Sequence, residues 1–95
     1  MESILKRKDG TQYKITVDLS IDFNEKHIWN YSVTYRGKGK KNWQTLPSEL
    51  YDFQLRQLSL EKRREAIKQN YLRFVSEYEI IEVMNKYLET IKPSI

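Results

Sequence analysis

Apolar and polar residues alternate strictly from Tyr13 to Phe23, with Tyr13, Ile15, Val17, Leu19, Ile21 and Phe23 on one side. Lys14, Thr16, Asp18 and Ser20 fall on the other, so one face is buried and one is wet. Trp29, Tyr31, Val33 and Tyr35 repeat the period after a turn near Asp22 to Lys26. Upstream, Asp9-Gly10 is a two-residue hairpin signal, because both centres of a type I′ turn need positive φ. That turn sets Lys8 against Thr11, Lys6 against Tyr13 and Ile4 against Ile15. The pattern predicts a three-stranded antiparallel sheet, with Trp43 to Leu46 as a short fourth strand or an extended connector.

The period changes after Pro47. Ser48 is placed to cap a helix of about 48–58, with Glu49 and Asp52 at the positive end of its dipole and Leu50, Phe53 and Leu55 or Leu58 inward. Ser59 can cap a second helix, and residues 60–92 contain neither Gly nor Pro. Leu60, Ile67, Tyr71, Phe74, Tyr78, Ile81 and Leu88 recur at helical spacing there, flanked by Val75, Met84 and Ile91. A continuous helix of that length would be about 50 Å long, whereas a compact domain of this size is roughly 32 Å across. The helix must overhang, bend near Ser76 or pack on another chain. The expected fold is α+β: the sheet, then two C-terminal helices, the last one long (about 60–92). The 95 residues form one domain, with 1–46 its β part and 47–95 its helical part.

Charge divides the chain. Residues 1–45 hold nine Lys/Arg against five Asp/Glu, while residues 46–95 hold eight of each, so the whole net charge of +4 lies in the β half. A basic end permits a polyanionic partner. No cysteine is present, which removes disulfides and thiolate metal sites. The N-terminal residues do not open a signal peptide and no run of about 18 apolar residues occurs, so a cytoplasmic protein with no membrane partner is expected.

Candidate chemistry is sparse. His27 is the only histidine and sits in a turn. Asp18, Asp22 and Glu25 suit turn chemistry better than a cation. Gly39-Lys40 fails the phosphate-loop pattern, because Thr34 stands where Gly is needed and Lys41 where Ser or Thr is needed. No nucleophile, base and orienting group assemble, so the chain reads as a non-enzyme without cofactor or metal. The rings of Trp29, Tyr31 and Tyr35 suggest a base-stacking platform. They share the face of Ile15, Val17 and Leu19, however, which reads as core; Tyr35 and Trp43, which flank the basic loop, are the best candidates for rings that stay exposed.

Three surfaces remain. Arg36, Lys38, Lys40 and Lys41 occupy a Gly-containing loop, and Lys6, Lys8 and Lys14 on the strands extend it to seven charges. The loop either binds an anionic partner, nucleic acid included, or serves solubility alone. Lys62 and Arg63, with Arg64, oppose the dipole of a helix start; they are relieved by Glu61 and Glu65, by a continuous helix, or by an anionic partner. The tail residues Tyr78, Ile81, Met84, Asn85, Leu88 and Ile91 form an interface for a protein partner or homodimer, unless helix 48–58 folds back over them.

In profile (short, α+β, lysine-tipped, without catalytic motif) the chain resembles phage and mobile-element proteins that inhibit host nucleases, anti-CRISPR proteins among them; no residue string carries that likeness. It implies an inhibitor or accessory factor acting on a nucleic-acid-handling protein or ribonucleoprotein. The alternatives are a direct RNA- or DNA-binding module and a structural homodimer or adaptor.

Overall fold

The computed structural model describes residues 1–91. Strands β1 (Glu2–Lys6), β2 (Gln12–Ile21), β3 (His27–Arg36) and β4 (Gln44–Thr45) form an antiparallel sheet in the order β1-β2-β3-β4. Helices α1 (Asp52–Arg56), α2 (Leu60–Leu72) and α3 (Glu77–Ile91) follow. The arrangement is α+β, and the fourth strand exists as a two-residue pairing of Thr45 with Thr34 and Gln44 with Tyr35. Ile15, Val17, Val33, Leu46, Val75, Ile80 and Val83 are the buried core, so sheet and helices share one apolar centre.

The first hairpin departs from the expected register by one residue. Leu5 pairs with Tyr13 and Ile4 with Lys14, because the turn spends three residues instead of two. Gly10 takes φ +91°, Gly10 N–H donates to the Arg7 carbonyl at 3.1 Å, and Arg7 N–H donates to the Thr11 carbonyl at 2.8 Å. The Asp9 carboxylate accepts from Thr11 N–H at 2.9 Å and closes the turn. A one-residue slip exchanges faces: Leu5 joins the core cluster while Ile4 stays 48 % exposed.

The stretch 60–92 is divided at residues 73–76, where a bend was one of the expected outcomes. Ser76 N–H donates to Glu79 Oε1 at 2.9 Å and Glu79 N–H donates to Ser76 Oγ at 3.2 Å, a reciprocal capping box that starts α3 afresh. The restart changes the helical phase. Ile80 and Val83 are buried and Met84 and Tyr87 pack on the core, while Tyr78 and Ile81 of the expected stripe are 84 % and 42 % exposed.

Helix α1 is shorter than expected and starts later. Ser48 does not cap it; its hydroxyl accepts from Leu50 N–H at 3.2 Å in a local turn before the helix. Ser59 does cap α2, accepting from Lys62 N–H at 3.2 Å. No residue of α2 is fully buried, and this helix meets the sheet through Tyr71, half-buried against the core cluster. The radius of gyration is 15.2 Å, against roughly 12 Å for a compact chain of this length.

Arg7 fastens α3 to the sheet. Its guanidinium donates to both carboxylate oxygens of Glu79 at 2.8 Å and to the Phe74 carbonyl at 3.2 Å, and lies 5.4 Å from the Tyr13 ring centroid. Hydrogen bonding to Arg7 holds the Glu79 carboxyl below its ordinary range, against an opposing effect of burial.

Candidate anion-binding surface

The two loops at one end of the sheet lie against each other. Gly37 to Lys40 is a turn closed by Lys40 N–H donating to the Gly37 carbonyl at 3.0 Å, with Gly39 at φ +76°. The third turn position requires that sign, and Gly supplies it without strain. The Lys38 stem lies over Gly10: a Cβ there would come within 2.8 Å of Lys38 Cβ and Cγ. Gly10 thus serves both the first turn and the close approach of the second, and Lys8 and Lys38 are brought to the same end.

Pairing carries the charge across the outer face. Lys6 opposes Gln12 and Gln12 opposes Arg36 in one rung; Ile4, Lys14, Thr34 and Thr45 form the next. The slipped register places Lys6 beside Gln12 and thereby on this face. Arg36 Nε donates to Gln12 Oε1 at 2.7 Å and Arg36 Nη1 to the Lys41 carbonyl at 3.3 Å. Trp43 lies beside this rung, with the Arg36 guanidinium 4.3 Å and the Lys14 ammonium 4.8 Å from its ring centroid. The indole holds two cations in place through its ring electrons.

All seven expected cations therefore share one end of the molecule. Lys6, Lys8, Lys38, Lys40 and Lys41 are exposed, and Lys14 and Arg36 are half-buried. Among the described residues the ion pairs are Arg7–Glu79, Arg73–Glu49 and Lys86–Glu82, none of which involves this group. Asp9 and Glu2 are the nearest acids by sequence and register, and Asp9 is committed to its own turn.

The remaining expectations divide. Arg63 is folded back: its Nε donates to the Leu55 carbonyl at 2.9 Å and its Nη2 to the Arg56 carbonyl at 3.2 Å, so it closes the C-terminal end of α1. That contact relieves the dipole conflict without an anionic partner, and only Lys62 of the pair is exposed. Tyr35 turns inward onto the core cluster instead of presenting its ring. Trp29, expected in the core, is only half-buried and meets Tyr87 edge-on at 5.9 Å, outside the core cluster that Tyr31, Val33 and Tyr35 of its strand join. On α3, Tyr78, Ile81 and Asn85 are exposed, Met84 packs on the core and Leu88 is half-buried. The Ile91 side chain lies outside the described residues.

Arg7 and Trp43 are the positions whose roles the sequence leaves hardest to see. Arg7 resembles any other basic residue of a basic hairpin. Ser76-Glu77-Tyr78-Glu79, by contrast, carries a readable capping-box signature. Asp22 is explained by its turn, since Oδ1 accepts from Asn24 N–H and Lys26 N–H at 2.9 and 2.8 Å. No group of three His, Cys, Asp or Glu that could hold a metal occurs among the described residues. No described helix is long and apolar enough to cross a membrane. No protein-family model, curated protein or solved structure matches the chain.

Proposed function

We propose that this chain is a non-enzymatic binding protein that acts on a nucleic acid in a ribonucleoprotein or nucleic-acid-handling complex, as an inhibitory or accessory factor. Its basic sheet end would rest on the sugar–phosphate backbone. The observation that carries this reading is the Trp43 ring, which has Lys14 and Arg36 against it at the end of the sheet that also carries Lys38, Lys40 and Lys41, with no acidic side chain paired to them among the described residues. Fixed cations release condensed counterions on contact with phosphates, so the expected affinity is salt-dependent and weakly sequence-dependent. With both cations against it, the Trp43 ring acts as their support and not as a stacking plate. A homodimer through α3 has less to recommend it, because Met84 is engaged with the core and Tyr78 and Ile81 are the large exposed apolar pair that remains.

The test is binding of a 20-base-pair duplex and a 20-nucleotide RNA across a salt series. Each phosphate contact contributes about 0.9 to the log–log salt slope on duplex, so replacing Lys38, Lys40 and Lys41 with alanine should lower it by about 2.7. Trp43→Ala should weaken binding while leaving the loop lysines in place. Binding that is undetectable at low salt, or a slope unchanged in the triple variant, would reject the reading.

A further inference from the structure

Strand β3 has an open edge. Met1 and Val17 exchange both backbone bonds at 2.8 Å, and Arg7 N–H bonds the Thr11 carbonyl, so the odd-numbered residues of β2 bond to β1. The even-numbered ones, from Gln12 to Ser20, therefore bond to β3, in agreement with Asp22 N–H donating to the Lys26 carbonyl at 3.0 Å. The register pairs these with Ile28, Asn30, Ser32, Thr34 and Arg36. Trp29, Tyr31, Val33 and Tyr35 consequently direct their N–H and C=O groups away from β2. Gln44 of β4 takes Tyr35. At Leu46-Pro47 the chain turns out of the sheet, and no backbone or side-chain bond reaches the main chain of Trp29 or Tyr31 among the described residues.

Helix α2 does not close this edge. A hollow of about 670 Å³ separates the Ser32–Thr34 end of β3 from α2, with Leu46, Leu50, Leu55 and Ile67 among its walls. A second of about 200 Å³ continues along Ile28 to Tyr31, walled by Arg64, Ile67, Lys68 and Tyr71. Tyr31 and Tyr71 meet at 5.6 Å between ring centroids and form the floor. The far wall is tied down by Asn70 Nδ2 donating to the Pro47 carbonyl at 3.1 Å and by Arg73 with Glu49 at 3.4 Å. The groove thus has a hydrogen-bonding edge, one end with Leu46, Leu50, Leu55 and Ile67 among its walls and Glu49 and Asp52 at its rim, and a second end that carries Arg64 and Lys68.

We propose that this slot receives an extended acidic segment of a partner protein, which adds to β3 as an antiparallel strand in the place β4 vacates. Residues opposite Trp29 and Tyr31 would turn their side chains toward α2, since directly paired residues share a face. An aliphatic side chain enters the larger hollow, and a carboxylate further along the segment meets Arg64 and Lys68. These two cations are one helical turn apart, both exposed and neither in an ion pair among the described residues. Glu65, the acidic neighbour between them, accepts from Gln69 Nε2 at 3.0 Å. A second copy is a poorer occupant, because two β3 edges meeting antiparallel would set the Arg64 and Lys68 pairs of both copies on the same side of the joined sheet. Main-chain bonds would supply affinity and the two hollows selectivity. This inference concerns a different surface from the basic sheet end and stands independently of it.

The probe is the acetylated, amidated peptide Thr-Val-Thr-Val-Thr-Glu-Thr-Glu, compared with its Lys-for-Glu counterpart by amide hydrogen exchange and NMR titration. In dilute protein the Trp29 and Tyr31 amides should exchange faster than those of Asn30 and Ser32, and the Glu peptide should slow them selectively. Arg64→Glu with Lys68→Glu should weaken the Glu peptide by about three- to tenfold and favour the Lys peptide instead. Methylating alternate peptide amides should abolish binding in one phase and spare it in the other. The Lys38, Lys40 and Lys41 alanine variant should bind the peptide as well as the parent does. Trp29 and Tyr31 amides already as slow as Asn30 in dilute protein would overturn the proposal. So would protection that rises with protein concentration alongside dimer mass, or equal binding of the two peptides.

Discussion

The Arg7–Glu79 contact makes a sharp forecast about how the helical part is held. Arg7→Ala removes two 2.8 Å bonds to Glu79, a 3.2 Å bond to the Phe74 carbonyl and the contact with the Tyr13 ring. Hydrogen bonds to charged groups are worth about 1.5–3 kcal/mol each when well buried, and exposed ion pairs about 0–1 kcal/mol. The two side chains are 36 % and 24 % exposed, between those limits. A total loss of about 2 kcal/mol is therefore expected, which is a fall in Tm of about 8–16 °C for a domain of this size. Glu79→Gln keeps an acceptor for Ser76 N–H and so preserves the capping box while losing the ion pair; Glu79→Ala loses both and should cost about 1 kcal/mol more.

Proton linkage supplies a second reading of the same contact. The folded Glu79 carboxyl titrates below its ordinary range, chiefly through its bond from Arg7 and then through Ser76 N–H. A lowered carboxyl pKa stabilises the fold fully above the unfolded value, and that contribution is lost as pH falls through the folded one. Arg7 is shifted upward, chiefly by the same hydrogen bond, and so titrates outside the working range. The parent should therefore lose more stability on acidification than Glu79→Gln, and the two should converge at the acid end. Urea unfolding at a series of pH values, read by tryptophan fluorescence, measures this directly. Parallel pH profiles, or a double-mutant coupling energy between Arg7 and Glu79 near zero, would refute the assignment.

Other positions give shorter forecasts. Gly10→Ala places a side chain at φ +91° and against Lys38, and should cost about 1–2 kcal/mol in thermal unfolding. Glu25 holds φ 59° without being Gly, so Glu25→Gly should be neutral to stabilising by about 0.5 kcal/mol. Ile15→Ala, at a fully buried site, should cost about 2–5 kcal/mol, and Trp29→Ala, only half-buried, about 2 kcal/mol with the fold retained. A Trp29→Ala variant that stayed as stable as the parent would contradict its packing on Tyr87.

The strands were legible because a period of two over ten residues has no competing reading, and the face shared by Ile15 and Val33 follows from it. The first register was not, because Ile4 and Leu5 are both apolar and either can face the core. Asp-Gly then serves a two-residue turn and a three-residue turn equally well, and the choice of Leu5 is made by packing. The break at Ser76 was half legible. No Gly or Pro marks it, yet Ser76 and Glu79 stand at capping-box spacing. A capping box inside an apolar-periodic run is outvoted by the run until the restarted phase buries Ile80 and Val83.

The two candidate surfaces differ in the same way. The basic end could be read from composition, since Lys38, Lys40 and Lys41 have nowhere to go but outward, although the Trp43 support depends on the pairing that sets Lys14 beside Thr34 and Trp43 beside Arg36. The open edge of β3 has no sequence signature, because His27–Arg36 alternates as any paired strand does. It exists because Leu46 is pulled into the core, Pro47 cannot donate to a strand ladder, and α1 and α2 are then carried out beyond the sheet. An edge strand without lysine or proline between Ile28 and Val33 lacks the usual protections against further pairing. Its wall of Arg64 and Lys68 discourages a second copy while leaving an acidic strand favoured. The cations on α2 and the missing continuation of β4 thus act together: one leaves the edge open, and the other selects what can close it.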